Sequence, residues 1–388
     1  MAEMASWTYG RSLMALSTYK DTRRAKPLSQ MAACARPYNI GVAYEQAAGK
    51  RGPMDRLTLF DLIYALAAVG GREELLFGDC AEGMREAFLR SLTPTAFPEL
   101  WFELPLAGAP WCDLHALVSY TDLAGSDATF AGHGGAYADA LTWFVGQEPR
   151  TVRQLAMSYD VSTGDVDHPA VQLLLGGSYL KVAQEFLKAA GRADATADYQ
   201  AFIERMPSGW YACDVGVFPS RETGDVAPWV RVECIVGDEL QQAYAADEAL
   251  LRSHLAQVGI EQLSPSLVTG VQLLARTPFP LEFQFNVGAE GKALPVLSAS
   301  VRFQPTDWTR PERTQKIAQL AMCLEREGLV DGRWKDLAGT AFAKHVTHGD
   351  ETVLVYCHPA FVKVCWREGE PPDVKAYLIA GMSEGDAQ

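Results

Sequence analysis

Five segments of this chain alternate apolar and polar residues in the pattern of two-stranded β-hairpins, and helical sequence separates them. The last segment is the clearest. In residues 361–366 and again in 373–379, on either side of a turn at Gly369, apolar residues alternate with a face that carries Lys363 and Tyr377. Successive side chains of a strand point to opposite faces, so each hairpin has one apolar and one polar face. The fold therefore depends on where the polar faces point.

The other hairpins and the helices between them follow a regular order along the chain. The alternation predicts hairpins over residues 99–120, 152–175, 210–236 and 281–304. Helical periodicity predicts helices over 57–68, 81–92, 179–190, 238–258, 311–327 and 331–345. The helix over 311–327 has the clearest ends, because Pro311 suits a first helical turn and Gly328 suits a C-terminal cap.

This order repeats an αα-ββ unit about five times, at intervals of roughly 50 to 75 residues that are typical of internal repeats. We interpret it as an α/β fold: a ten-stranded antiparallel β-barrel built from five ααββ repeats, with the helices outside. Closure into a barrel removes exposed sheet edges. The alternative is an open α+β sheet with one solvated face. Residues 1–50 are predicted to form an N-terminal arm, and residues 51–388 a single barrel domain.

Aromatic residues on the polar faces favour the closed barrel. A solvated sheet face seldom carries large rings beside its charges, whereas the lining of an enclosed ligand cavity does so more often. The aromatic residues concerned are Trp101, Trp210, Trp229, Phe361 and Tyr377. We therefore predict that the polar faces line an internal cavity.

Composition excludes several classes of function. A net charge of −14 without a run of Lys or Arg argues against nucleic acid or an anionic membrane as a partner. No apolar stretch has the length of a membrane span, and the N-terminus lacks the apolar core of a signal peptide. Eight cysteines without C-x-x-C spacing indicate reduced thiols and a cytoplasmic location. His345 and His348 lack accompanying carboxylates, so we interpret them as structural and predict no metal site.

The C-terminal hairpins resemble a known family. Residues 360–377, AFVKVCWREGEPPDVKAY, are similar to the final hairpin of aromatic prenyltransferases of the dimethylallyltryptophan-synthase type, including the turn length and the Tyr near its end. Residues 297–302, LSASVR, are similar to the strand of that family that ends in Val-Arg. The layout resembles the family over residues 97–382. The resemblance implies the ABBA fold, also called the PT barrel.

The resemblance also implies a reaction. An allylic diphosphate loses pyrophosphate, the allyl cation alkylates an electron-rich arene, and a carboxylate accepts the ring proton. Such a site needs basic side chains and a Tyr to hold the diphosphate, and aromatic faces to shelter the cation. It also needs a carboxylate beside the arene.

Matching the family pattern position by position assigns these roles to residues of this chain. The carboxylate is Glu99, which follows Pro98, and Glu103 on the same strand face is the second candidate. The implied diphosphate-binding residues are His115, Arg231, Arg302, Lys375 and Tyr377. The implied substrate pocket contains Trp101, Trp229, Gln304, Phe361 and Lys363.

Some positions depart from the family pattern. Gln172 and Leu174 stand where a Lys-x-Tyr pair is usual, and Glu233 replaces a Tyr. Arg231 replaces a Lys, which keeps the charge, and His115 replaces an Arg or Lys. The predicted inner faces therefore carry more acids than bases, and simple Coulomb reasoning disfavours a pyrophosphate in such a cavity.

Three functions follow as hypotheses. The leading one is a prenyltransferase of specialised metabolism that acts on an indole-like or peptide-derived aromatic acceptor. It uses the prenyl diphosphate as co-substrate, with no other cofactor and no Mg²⁺, since the chain has no D-D-x-x-D motif. The alternative barrel enzyme uses no prenyl diphosphate and carries out acid–base cyclisation or rearrangement. The third is a non-catalytic binder.

Ordinary structural roles remain open for the same residues. Glu99 and Glu103 then become edge carboxylates of a hairpin, and Arg231 with Glu233 a structural ion pair. The expected partners are small molecules in every case, with neither nucleic acid nor membrane. The protein is expected to be a monomer or a homodimer.

Overall fold

A computed structural model describes residues 99–109, 111–119, 136–147, 152–160, 165–175, 180–221, 229–304, 307, 310–337, 341–348 and 351–384. These ranges contain strands of all five predicted hairpins. The predicted arm over 1–50 and the predicted helices over 57–68 and 81–92 lie outside them.

Eleven strands form one antiparallel sheet in the described residues. They are β1 Glu99–Pro105, β2 Asp113–Ser119, β3 Val152–Asp160, β4 Asp165–Leu175, β5 Trp210–Val217, β6 Val230–Val236, β7 Leu281–Val287, β8 Ala293–Arg302, β9 Phe342–His348, β10 Glu351–Arg367 and β11 Asp373–Glu384. Hydrogen-bonded neighbours run β11-β1-β2-β3-β4-β5-β6-β7-β8-β10, and β10 pairs again with β11. Ten strands thus close into a barrel. The predicted barrel is confirmed, and the open sheet is excluded.

Helices connect the hairpins and pack on the outside of the barrel. They are α1 Ala136–Val145, α2 Leu180–Ala189, α3 Thr196–Arg205, α4 Asp238–Ala246, α5 Glu248–Gln257, α6 Pro265–Ala275, α7 Pro311–Arg326 and α8 Trp334–Leu337. The sequence patterns do not predict α1, α3 or α6. The predicted helix over 238–258 is two helices, because Asp247 is extended and its side chain accepts a hydrogen bond from the Leu250 N–H (2.9 Å). The predicted cap is confirmed, since Gly328 has φ +72°.

Strand β10 has 17 residues and is long enough to pair with three strands, β8, β9 and β11. Its first half pairs with β9, and its second half, Phe361–Arg367, pairs with β8. The prediction of a helix over 331–345 is wrong beyond α8, because Phe342–His348 forms β9. Local sequence does not reveal β9, since its hydrogen-bonding partner is an extension of β10 beyond the predicted hairpin.

The main core lies between the outer faces of the strands and the helices. Phe283 and Phe285 of β7 are fully buried there, with ring centroids 5.1 and 5.5 Å from Trp210. The Trp210 indole N–H donates a hydrogen bond to the Tyr244 hydroxyl of α4 (2.8 Å). The prediction that Trp210 faces the cavity is therefore wrong. A β-bulge after Ala212 inverts the alternation of β5, so that this ring faces outward.

None of the helices in the described ranges combines the length and the apolarity that a bilayer span requires. The cysteines in these ranges are free thiols: Cys112, Cys213, Cys234, Cys323, Cys357 and Cys365. Cys34 and Cys80 lie outside the described residues.

Helix α6 contacts β10 through Gly270, where an added Cβ atom would lie 2.3 Å from Cζ2 of the buried Trp366. We expect Gly270→Ala to lower the free energy of unfolding by about 1–3 kcal/mol, although alanine is the better helix former, because the overpacked ring must shift. Urea denaturation measures this. The control is Gly332→Ala, where an added Cβ meets nothing within 4 Å. Equal stability of the two variants would contradict this packing.

Candidate active site

The inward faces of the strands surround a cavity of about 1010 Å³, counted with its open mouth. All ten barrel strands contribute to its lining. The lining residues are Trp101, His115, Leu117, Gln154, Ala156, Gln172, Leu174, Leu175, Cys213, Asp214, Arg231, Glu233, Ile235, Gln284, Ser300, Arg302, Phe361, Lys363 and Tyr377. The polar faces of the hairpins therefore point into the barrel, as the alternation predicts.

Several basic side chains inside the barrel contact one buried carboxylate, that of Glu103. Glu103 is 4% exposed and accepts hydrogen bonds from Lys375 Nζ (2.5 Å), from the Tyr377 hydroxyl and from His115 Nε2 (3.1 Å). Lys363 Nζ lies 3.8 Å from Glu103 Oε2. We call these five residues the Glu103 cluster. Three of its members, His115, Lys363 and Tyr377, border the cavity.

Electrostatics keep Glu103 ionised. Burial alone would raise its pKa, but the ammonium groups of Lys363 and Lys375 outweigh burial and hold the pKa well below its usual range. Burial lowers the pKa of Lys375, yet contact with Glu103 raises it overall. Burial and the neighbouring carboxylate raise the pKa of Tyr377, so its hydroxyl stays protonated. The cluster is therefore a set of donors around one internal anion.

A hydrogen-bonded chain orients His115 toward Glu103. Gln172 Nε2 donates to Ser158 Oγ (2.7 Å), which lies 2.6 Å from His115 Nδ1. Because the carboxylate accepts from Nε2–H, Ser158 donates to Nδ1 when the ring is neutral. Gln172 thus has a structural partner in this chain, at a position where the resemblance leads one to expect a basic residue. Sequence reasoning missed Ser158, whose only signal is its place on the inward face of β3.

Arg231 lies beside the Glu103 cluster, over two aromatic rings. Its guanidinium carbon is 4.0 Å from the ring centroid of Phe218 and 5.3 Å from that of Trp229. Nε and Nη2 each donate to Asn286 Oδ1 at 3.2 Å. Burial, followed by the charge of Arg221, lowers the pKa of Arg231 to about 10, so it remains a cation at neutral pH.

Three rings form an aromatic wall on β1, β10 and β11. The ring centroids of Trp101 and Phe361 are 5.0 Å apart, and those of Phe361 and Tyr377 are 5.9 Å apart. Lys363 Nζ lies 4.5 Å from the Tyr377 centroid, and the Arg302 guanidinium carbon lies 4.8 Å from that of Phe361. The faces of these rings attract positive charge, so the wall suits a transient carbocation as well as it suits ammonium and guanidinium groups.

Glu99 lies two residues before Trp101 on the same face of β1 and is not among the lining residues. Its Oε1 accepts from the Trp101 indole N–H (2.7 Å), and its Oε2 accepts from the Tyr356 hydroxyl (3.4 Å). Burial raises the pKa of Glu99, although these two hydrogen bonds and the charge of Arg302 lower it in part. Glu99 is thus a better proton acceptor than an ordinary surface glutamate.

A second group of acids occupies the opposite wall. Asp214, Glu233 and Glu282 extend inward from the adjacent strands β5, β6 and β7, and we call them the carboxylate trio. Asp214 lies directly across from Glu233 in the register. Glu282 is 1% exposed, and its Oε1 lies 2.8 Å from Nε of Arg302. Burial, with Glu233 as a further cause, raises the pKa of Asp214 well above its usual range and that of Glu282 to about 7.

The structure brings most predicted site residues to the cavity, but not all. Arg302 lies with Glu282 and Phe361, on the trio side of the wall, apart from the hydrogen bonds of the Glu103 cluster. Gln304 is not part of the lining, and its backbone N–H donates to Asp307 Oδ2 (2.8 Å). Trp229 packs on Phe218 behind the lining, with ring centroids 5.4 Å apart.

No protein-family model matches this chain, and no curated protein does. Solved structures with the same fold do match. The apo form of prenyltransferase PriB has 15% identity and a TM-score of 0.50, over 83% of this chain and 96% of that chain. The 6-dimethylallyltryptophan synthase from Micromonospora olivasterospora, in complex with DMASPP and Trp, has 12% identity and a TM-score of 0.50, over 83% and 97%.

These matches establish the fold. The chain has the ABBA barrel of the aromatic prenyltransferases, with helices around a closed antiparallel sheet. The resemblance of the C-terminal hairpins to that family is therefore confirmed at the level of the fold.

The raised pKa of Glu282 predicts a pH-dependent stability. A carboxyl whose folded pKa exceeds its unfolded value costs stability as pH rises from the unfolded value toward the folded one. For a shift from 4.5 to about 7, we expect Glu282→Gln to gain on the order of 3 kcal/mol relative to wild type across that interval. Urea unfolding at several pH values measures this, with the exposed Glu239→Gln as control. A difference that does not change with pH would contradict the assignment.

Proposed function

We propose that this protein transfers a prenyl group from an allylic diphosphate to an aromatic acceptor by electrophilic aromatic substitution. The observation that carries the proposal is the closed cavity in which the donors of the Glu103 cluster adjoin the aromatic wall. The fold supports it too. PriB, which shares this fold, has been solved as a ternary complex with L-tryptophan and dimethylallyl thiolodiphosphate.

The Glu103 cluster and Arg231 form the proposed diphosphate site. Lys363, Lys375 and Arg231 supply three basic groups, and His115 and Tyr377 add N–H and O–H donors. Charge-assisted hydrogen bonds of this kind bind phosphoryl oxygens strongly. These cations neutralise the leaving pyrophosphate, and for this reason we propose that no Mg²⁺ is required.

The bond changes follow from this placement. The C–O bond of the donor breaks, and pyrophosphate leaves with the electron pair. Trp101, Phe361 and Tyr377 shelter the allyl cation from water until the π electrons of the acceptor form the new C–C bond. We assign the ring proton to Glu99, which is hydrogen-bonded to the lining residue Trp101, and its transfer restores aromaticity. This transfer requires the acceptor ring to displace the Trp101 indole N–H from the carboxylate. Glu103 suits this role less well, because its oxygens already accept several donors and its pKa is depressed.

A second candidate function is favoured by one observation: an internal carboxylate already occupies the proposed anion site. In addition, Gln172 and Leu174 border the cavity where the resemblance leads one to expect a Lys-x-Tyr pair, and Glu233 borders it where a Tyr is expected. An enzyme that uses the same barrel for acid–base cyclisation or rearrangement of a small aromatic metabolite needs no diphosphate site. It would keep its activity in Arg231→Gln, a variant of the proposed diphosphate site, and lose it in Glu99→Gln.

Release of pyrophosphate tests the leading proposal. With dimethylallyl diphosphate and a panel of indole acceptors, we expect acceptor-dependent pyrophosphate release that persists in EDTA. Glu99→Gln should lower kcat by about 10²–10⁴-fold, the usual contribution of a general base. The exposed Glu239→Gln is the matched control. If no acceptor in a broad panel elicits pyrophosphate release, prenyl transfer is not the function.

Glu103 competes with a diphosphate for the same donors, so its removal has an unusual expected effect. We expect Glu103→Gln to bind inorganic pyrophosphate at least about tenfold more tightly than wild type, because a buried negative charge no longer repels the ligand. Lys375→Gln should bind it more weakly. Calorimetric titration measures both affinities. Weaker binding to Glu103→Gln would place the diphosphate site elsewhere in the barrel.

A further inference from the structure

The carboxylate trio has a feature that the prenyl-transfer reaction does not use. Asp214 is 7% exposed and borders the cavity, and its Oδ1 has no hydrogen-bond partner among the described residues. A buried carboxylate oxygen that no protein group donates to costs free energy unless another molecule supplies a donor. Such an atom at the wall of a cavity indicates that a ligand supplies the missing donor.

The fold gives no reason for three acids at this place. Asp214 and Glu233 are direct cross-strand neighbours, and like charges in that position destabilise a sheet. The β-bulge after Ala212 adds to this, because it turns both Cys213 and Asp214 toward the cavity. Arg302 lies against Glu282, and Arg231 lies two residues from Glu233 on the inward face of β6. The charges of Arg231 and Arg302 only partly offset the burial of Asp214 and its repulsion by Glu233, so a further cation beside Asp214 stabilises the arrangement.

We propose that the carboxylate trio binds a protonated amine of the aromatic acceptor, so that the acceptor is an aromatic amine without a carboxylate. The identification of the bound molecule as the acceptor rests on the proposed function. Beyond that function, the acceptor is predicted to be a cation, and the carboxylate trio is predicted to recognise its charge.

The strand order places the two ends of such a molecule. In the ring of ten strands, β5 and β6 lie four and five positions from β1, so Asp214 and Glu233 lie across the cavity from Trp101. Glu282 on β7 is connected to Phe361 through Arg302. An aromatic ring at Trp101 and Phe361 leaves an attached aliphatic amine directed toward Asp214 and Glu233. An acceptor carboxylate in the same place meets two acids and is repelled, since electrostatic interactions are strong in a site with little water.

Calorimetric titration of the full chain without any prenyl diphosphate tests this inference. The probes are tryptamine, tryptophan and indole-3-propionate, which share an indole and differ in the charge of the side chain. We expect wild type to bind tryptamine at least about tenfold more tightly than indole-3-propionate, with tryptophan between them. Asp214→Asn should lose about tenfold or more in tryptamine affinity without weakening indole-3-propionate.

Two further variants keep the test decisive. Glu233→Gln is expected to lose the same preference, and it serves if Asp214→Asn does not fold. Asp238→Asn removes the same charge at an exposed position on α4 and should leave all three affinities unchanged. Equal binding of the three probes to wild type, or a preference that survives in both cavity variants, would overturn the inference.

The binding result is independent of the proposed reaction. A preference for tryptamine that depends on Asp214, in a protein that releases no pyrophosphate with any acceptor, supports the amine site and contradicts prenyl transfer. Pyrophosphate release by a protein without that preference supports prenyl transfer and contradicts the amine site.

Discussion

Pairing of β11 with both β1 and β10 closes the sheet, and the chemistry of the interior depends on this closure. Tyr377 of β11 lies opposite Glu103 in one register and opposite Phe361 in the other. These two cross-strand pairs bring a carboxylate, a phenol and an aromatic face together. In an open sheet the same residues would face water, where ion pairs contribute little. Inside the barrel these groups are buried, so their charges interact more strongly than they would at the surface.

Because the sheet closes, one cavity holds two regions, one that suits an anion and one that suits a cation. Around Glu103, the charges of Lys363 and Lys375 outweigh the effect of burial, so the pKa of that carboxylate is depressed. On the opposite wall, burial and mutual repulsion raise the pKa values of Asp214 and Glu282. A molecule pair with an anion at one end and a cation at the other matches this separation. The aromatic wall adjoins the Glu103 cluster through Tyr377 and offers rings to a reactive carbocation and to a planar acceptor.

The sequence predicted the inward faces well wherever the strands are regular. Lys363 and Tyr377 border the cavity, as their places in the alternation predict. The outward-facing Trp210 shows the limit, because one extra residue at a bulge reverses every side chain on one side of it. The roles of Glu103, Lys375 and His115 show another limit. The resemblance separates them into a proton acceptor and diphosphate ligands, whereas in the folded chain they contact one another.

The sequence by itself determined the repeated hairpins and the two-faced strands, and its aromatic residues favoured a closed barrel over an open sheet. The hairpins and their faces follow from periodicity, which is a local property of the backbone and can be read along the chain. Only the tertiary structure decided that Glu103 neutralises the basic cluster, that Asp214 faces Glu233 with one oxygen unpartnered, and that β9 extends the sheet. These depend on distances between side chains of different strands. Such distances are set by register, bulges and closure, which no single segment of the sequence contains.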